Sequence, residues 1–448
     1  MSTKGRQPPS PPGLPILGNL VEYLRDPFEA PARWAREHGD LVRLRAPGPA
    51  TYMLFAPELV GELLLKNEAN IRKSPITRGM ACITGPSVVT ITGEPWKRRR
   101  RLLDPAFRKE PLARHARIVR LHAREHANRW LQTGTIEAHG ALLDFMFDTL
   151  VDTLTSAPLG PDRAVLRRGF EVFWADFSSR EFALLCALTG GDPYRHLTTP
   201  RRWRQKRLLA DFARIIGRLV RHAREAPGDD LLSALLPSVG RDDGLDEQEL
   251  LDDVITVILA AQETTAMGLT MTLDLLARHP EVAARIAAEA AALPTSDPTL
   301  DDLKLLPYTD AVVREALRLV PPIWGVAREA TAPLTLGGHD IAPGALLVAS
   351  AWVIQRDPRW WGPDPLAFRP ERWLEDTTRP RLAWFPFGAG AHLCIGMRLA
   401  LLEMVLAVAE WSKCLHFTAA APPPALVTSL TVRPKHGVPL RVSPRRGT

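Results

Sequence analysis

The segment Phe387-Gly-Ala-Gly-Ala-His-Leu-Cys-Ile-Gly396 gathers residue types suited to holding a metal or carrying a nucleophile. It sets Cys394 between a glycine-rich loop and Met397-Arg-Leu-Ala-Leu-Leu-Glu-Met-Val-Leu, whose patterning is helical. A thiol at a helix start meets free backbone N–H groups and the positive helix end, which favour its thiolate form. Gly388, Gly390 and Gly396 let backbone approach a flat ligand closely. A lone cysteine is more often a small buried hydrophobe. The glycines, the aromatic Phe387 upstream and the helix that follows favour a ligand role instead. A nucleophilic hydrolase would need a histidine base with its own orienter. His392 is near in sequence, but no Asn or Asp partner can be assigned.

A second group, Gln262-Glu-Thr-Thr265, interrupts a helical stretch that begins at Asp246 and runs to about His279. Its middle is apolar on nearly all sides, the pattern of a buried helix. At 1.5 Å per residue its length is on the order of 50 Å. Asp246 and Glu249 suit a capping box at its start, and Pro280 follows its end. A buried carboxylate is costly unless it finds a partner. Glu263 therefore either reaches a salt bridge or moves a proton, and on this segment alone the two readings stand level. An acid beside the hydroxyl of Thr264 is also what proton delivery to a bound ligand needs.

A third group is Asp310-Ala-Val-Val-Arg-Glu-Ala-Leu-Arg-Leu319, with Glu315 and Arg318 one turn apart on one face. Such pairs are common on surfaces and stabilise little there. Pro321-Pro322 ends that helix and opens Ile323-Trp-Gly-Val-Ala-Arg328, and Phe368-Arg-Pro-Glu-Arg-Trp373 adds Arg372. Each alone reads as ordinary loop; their joint order weakens that reading.

The elements that must position these groups form a chain of 448 residues, 46% apolar and 24% charged, typical of a globular protein. The formal charge of +7, from 57 Lys and Arg against 50 Asp and Glu, is modest. It points to a basic docking face rather than to nucleic acid, for which no signature is present. The four cysteines, Cys82, Cys186, Cys394 and Cys414, match neither a zinc site nor a disulfide framework, which points to a reducing compartment. No signal peptide or membrane anchor is expected at Met1-Ser-Thr-Lys-Gly-Arg, and the apolar run Val254 to Ala261 is too short to span a bilayer. A soluble, cytoplasmic monomer is expected. Residues 1–20 form a Pro-rich arm, Asp40–Arg45 and Ala50–Phe55 a hairpin, and a helix follows from Pro57. Residues 94 to 290 are mainly helical, and strand patterning returns from Leu334, with turns at Gly337-Gly338 and Pro343-Gly344. The fold expected is a single domain, mainly α with small β-sheets.

On these residues the sequence resembles the cytochrome P-450 family along nearly the whole chain. The family's F-x-x-G-x-x-x-C-x-G is met by Phe387, Gly390, Cys394 and Gly396, and its E-x-x-R by Glu315 and Arg318. Arg372 matches the Arg of its P-E-R segment, and Ala260-Ala-Gln-Glu-Thr-Thr265 its oxygen-activation segment. Trp96-Lys-Arg-Arg-Arg100 matches W-x-x-x-R. Two departures stand out. Ala261 replaces the usual Gly, which would narrow the oxygen groove, and His392 stands where Arg is commoner, which would make propionate pairing weaker or pH-sensitive.

The resemblance implies that Cys394 is the axial thiolate of haem b, with Phe387 packed near its sulfur. Trp96, Arg100, Arg328 and His392 would neutralise the propionates. Glu263 and Thr264 would route protons to dioxygen, and Glu315, Arg318 and Arg372 would hold the fold. The implied reaction is monooxygenation, inserting one oxygen atom into an apolar substrate by hydroxylation or epoxidation. Electrons from NAD(P)H would arrive through a separate ferredoxin or flavodoxin with its reductase. No fused reductase is expected, since the chain runs only about fifty residues past Cys394. The partner is expected near Lys97 to Arg101 and Arg398, a run that reads equally as a solvated helix face. Pocket walls are expected from Pro75 to Thr92, Phe170 to Leu209, the helix near Ala260 and Ile323 to Val326. Phe170, Phe173, Trp174, Phe177, Ile323 and Trp324 would suit an apolar substrate such as a terpenoid, fatty acid or polyketide-like molecule, though aromatic clusters are more often core. A peroxide-driven peroxygenase and a non-catalytic haem-thiolate sensor remain as alternatives.

Overall fold

The helix that begins after Asp246 organises the computed structural model, which describes residues 7–107, 109–177, 179, 182, 185–186, 189, 200–293, 300–375, 378–428 and 430–445. It spans Glu247–Arg278, and its capping box forms as the sequence predicts. The Asp246 carboxylate accepts from Glu249 N–H at 2.7 Å, and Glu249 Oε2 accepts from Asp246 N–H at 3.2 Å. Such a cap stabilises a helix by about 1 kcal/mol. By length and composition this helix could cross a bilayer, but most of it is buried inside the protein. That burial explains why its middle is apolar on nearly all sides.

Three helices sheathe it: Ala138–Leu154, Pro307–Leu319 and the helix after the cysteine, Met397–Cys414. Phe145, Leu269, Leu273, Val312, Leu317 and Trp411 meet in one core cluster. Each large side chain buried there contributes roughly 1.5–3 kcal/mol. Where the central helix crosses the cysteine helix, Gly268 lets the two pack closely, and a methyl group there would require the Met404 side chain to shift. A Cβ there would lie 2.8 Å from Met404 Cε.

The sheet beside this helical body has the strand order Leu41–Leu44, Thr51–Leu54, Leu346–Ser350, Gly325–Ala330, Ile71–Lys73. The first two strands form the expected antiparallel hairpin. Thr51–Leu54 runs parallel to Leu346–Ser350, and the other pairings are antiparallel. In the last of them Lys73 lies opposite Arg328. The Gly337-Gly338 turn closes the hairpin Leu334–Leu336 with His339–Ile341, both glycines having positive φ. The Pro-rich arm is packed, with Pro9 O accepting from Arg43 N–H at 2.9 Å and Pro12 O from the Asn19 amide at 2.8 Å.

Three features escape the sequence reading. Thr135–Glu137 is a strand inside the helical region, pairing with the C-terminal Pro439–Pro444, which also pairs with Leu415–Ala419. Leu426–Thr428 and Val432–Pro434 form a separate hairpin. The basic run Lys97 to Arg101 does not act as one solvated face. Arg99 is buried, and Arg100 turns inward to donate to Leu393 O at 2.8 Å. Arg98 pairs with Glu249, while the exposed Lys97 and Arg101 pair with Glu94 and Asp243. A helix of alternating contacts splits its cations by face.

Candidate active site

Cys394 sits one turn before the helix Met397–Cys414, and its accessible surface opens onto a cavity of about 470 Å³. The loop is tied by Cys394 N–H donating to Phe387 O at 3.0 Å and Leu393 N–H to Gly390 O at 3.0 Å. Gly390 has φ +72°, and a Cβ on it would lie 2.3 Å from Leu64 O. Backbone conformation and the neighbouring Glu62–Lys66 turn therefore dictate this glycine, rather than room for a ligand. The thiol also departs from expectation. Burial pushes it up, and the Gly396 N–H and Arg100 only partly oppose this. Burial thus opposes what the helix start favours, and a bound metal cation would stabilise the thiolate.

The cations Arg100, Arg328 and Lys73 gather on one side of the cavity, together with the imidazole of His392. Arg328 Nε and His392 Nδ1 are buried and have no hydrogen-bond partner among the described residues. Burial lowers Arg328 to about 10. Burial, with Lys73, Arg328 and Arg100 nearby, lowers His392 to about 3. Lys73 is lowered to about 7 by burial and by Arg328 and Arg100, and Nζ donates to Val88 O at 2.6 Å. Trp96 stacks on His392 with ring centroids 3.9 Å apart and lies 5.7 Å beneath Lys73 Nζ. Such a concentration of positive charge with unsatisfied donors fits an anionic ligand. Lys73 was not foreseen, because only the strand pairing to Arg328 brings it here.

Opposite the cysteine loop the central helix presents Val257, Ile258, Ala260, Ala261, Thr264 and Thr265. Thr264 Oγ1 donates to Ala260 O at 2.8 Å and lines the cavity. Glu263 does not line it. Its carboxylate is buried against Arg433, with Oε1 2.6 Å from Nε, and lies 3.7 Å from His139 Nε2. The salt-bridge reading of Glu263 is thus realised, and Arg433 is a second residue that local sequence could not reveal.

Ile76, Thr77, Val88, Val89, Phe182, Ile323, Trp324, Val326 and Leu430 complete largely apolar walls. Phe170, Phe173 and Trp174 are core instead, Phe170 packing on Phe147 and Phe212 with centroids 5.6 and 5.8 Å apart. The side chain of Phe177 and most of 178–199 lie outside the described residues. Away from the cavity, Glu315 accepts from Arg318 Nη2 at 2.8 Å, Arg372 Nε at 3.1 Å and Trp373 Nε1 at 3.0 Å, all within the interior. Arg318 and Arg372 spend their other donors on the carbonyls of Gln355, Pro365, Trp361 and Asp364.

A haem, which the motifs imply, fits this lining. It would place iron against the Cys394 sulfur, its apolar faces against Ala260, Ala261 and Val326, and its two carboxylates near Arg100 and Lys73 and beside Arg328 Nε and His392 Nδ1, the two buried donors without a partner among the described residues.

The comparisons with known proteins agree. The family model described as Cytochrome P450 matches residues 8–411. Cyclooctat-9-en-7-ol 5-monooxygenase of Streptomyces melanosporofaciens is 34% identical over 89% of this chain and 87% of its own. Pentalenene oxygenase of Streptomyces avermitilis is 31% identical over 94% of each chain. The retinoic-acid-bound cyanobacterial CYP120A1 superposes with a TM-score of 0.83 over 98% of this chain and 100% of its own, at 23% identity, a likeness of fold. The chain therefore belongs to the cytochrome P450 family of haem-dependent oxygenases.

Proposed function

We propose that the protein hydroxylates or epoxidises a terpenoid hydrocarbon or alcohol, drawing NAD(P)H electrons in the cytoplasm through a separate ferredoxin or flavodoxin and its reductase. The observation that carries this reading is the pairing of Cys394 and Thr264 on one cavity whose remaining walls are apolar. Two relatives are named for cyclooctat-9-en-7-ol and pentalenene, which supports an apolar substrate.

In this reading Cys394 ligates the iron, Arg100, Arg328, Lys73, His392 and Trp96 hold the haem carboxylates, and Phe387 covers the sulfur. The bound haem supplies iron-centred activation of dioxygen, assisted by thiolate donation. Val88, Val89, Ile323 and Trp324 orient the substrate and exclude water. Thr264 Oγ1 holds a proton within the cavity by exchanging its bond to Ala260 O for one to a water. Glu263 relays a proton to it only when its carboxylate leaves Arg433 and takes up a proton from solvent. Glu315, Arg318 and Arg372 keep the framework rigid without touching substrate.

A peroxide-driven reaction has one observation in its favour: Glu263 is held by Arg433 outside the cavity. Turnover of pentalenene and cyclooctat-9-en-7-ol with NADPH, ferredoxin and ferredoxin reductase, compared with hydrogen peroxide alone, separates the two. The expected result is product with the ferredoxin system, and Thr264→Ala should lower product per NADPH at least about tenfold while haem content stays unchanged. Faster product formation with peroxide, or undiminished coupling in the variant, would refute the reading.

A further inference from the structure

The loop Gly85–Thr90 carries Val88 and Val89 to the cavity wall, and buried side chains from three elements grip its backbone. Val88 N–H donates to Asp253 Oδ1 at 2.6 Å, and Val88 O accepts from Lys73 Nζ at 2.6 Å. Pro86 O accepts from Arg99 Nη1. Asp253 lies on the central helix, is fully buried and does not line the cavity. Its second oxygen has no hydrogen-bond partner among the described residues. Arg99 Nη1 stands 3.6 Å from Asp253 Oδ1, and Arg99 Nε 3.3 Å from Glu249 Oε1. Gly85, at φ +76°, packs directly on the Asp252 carboxylate, where a Cβ would lie 2.3 Å from Oδ1.

The two peptide groups flanking Val88 are therefore held by a carboxylate and an amine, within a turn in which Ser87 O accepts from Thr90 N–H at 2.8 Å and Ile91 N–H at 2.9 Å. A buried N–H or C=O left unpaired carries an unrecovered desolvation cost, so these side chains, together with the turn, decide where the loop rests. We propose that Asp253 is a positioning residue for the substrate pocket, fixing the Val88–Val89 wall through the Val88 N–H while Lys73 fixes the next peptide through the Val88 carbonyl. Burial raises Asp253 to about 6 and lowers Lys73 to about 7, so both carry part of their cost as displaced titrations. Arg99 and the Val88 N–H lower Asp253 again, while Asp252 and Glu249 raise it. Asp253 touches neither substrate nor haem. It acts only through the wall it holds, which rests on the cavity being the ligand pocket proposed above.

Two readouts on the haem-loaded protein test this. In Asp253→Ala, amide exchange over residues 85–92 should accelerate at least about tenfold, while Asp253→Asn, whose side-chain oxygen still accepts from Val88 N–H, should stay within about threefold of wild type. Optical titration with imidazole and 4-phenylimidazole gives the second. Imidazole needs only the iron and should keep its Kd within twofold in Asp253→Ala, whereas 4-phenylimidazole, which leans on the wall, should weaken at least fivefold, with Asn restoring it. Unchanged exchange in Ala, equal weakening of both ligands, or an Asn variant as impaired as Ala would overturn the proposal. A wild-type protein that binds neither azole would contradict the pocket assignment itself, and the exchange result would still decide the role of Asp253.

Discussion

Glu263 and Thr264 are adjacent in sequence yet face different surroundings, because successive helical residues point about 100° apart. Thr264 faces the cavity, and Glu263 faces Arg433 and His139. Removing one partner of a buried pair leaves the other charge uncompensated, so Arg433→Gln should destabilise the protein by about 3 kcal/mol. Denaturant unfolding of both proteins measures this, and a loss below about 1 kcal/mol would contradict it. At this scale the sequence was legible where a residue belongs to a local motif, as Cys394, Thr264 and Glu315 do. Lys73 and Arg433 were not, since neither stands near its partner in the chain: Lys73 reaches the cavity through a strand pairing with Arg328, and Arg433 reaches Glu263 from a C-terminal hairpin.

Elements divide in the same way. The long helices are legible because a periodic apolar stripe persists over many turns. Thr135–Glu137, Leu426–Thr428 and Val432–Pro434 have three residues each, too few for alternation to register, and Thr135–Glu137 pairs with a strand some 300 residues away. The Glu-x-x-Arg helix shows how much context adds. On a surface, Glu315 and Arg318 would be worth a few tenths of a kcal/mol. Here Glu315 sits between two buried guanidinium groups and a tryptophan N–H. Glu315→Ala should therefore cost on the order of 3–5 kcal/mol in denaturant unfolding of the haem-loaded protein. A loss below about 1 kcal/mol would show that the triad is not what joins this helix to the loop carrying Arg372.

Across the whole molecule, a central helix and a glycine-rich loop close on one apolar cavity, with cations collected at one side. Any electron-donor protein must approach from outside this cavity. Of the cations in the run Lys97 to Arg101, Arg99 and Arg100 turn inward, whereas Lys97 and Arg101, like Arg398, are exposed. The central claim is that all of this geometry serves a haem ligated by the Cys394 thiolate. The absorption spectrum of the dithionite-reduced, carbon monoxide-bound protein tests it most directly. The wild-type protein should give a strongly red-shifted Soret band, and Cys394→His should retain haem but lose that shift. An unshifted band in the wild type, or a red shift that survives in Cys394→His, would contradict the account.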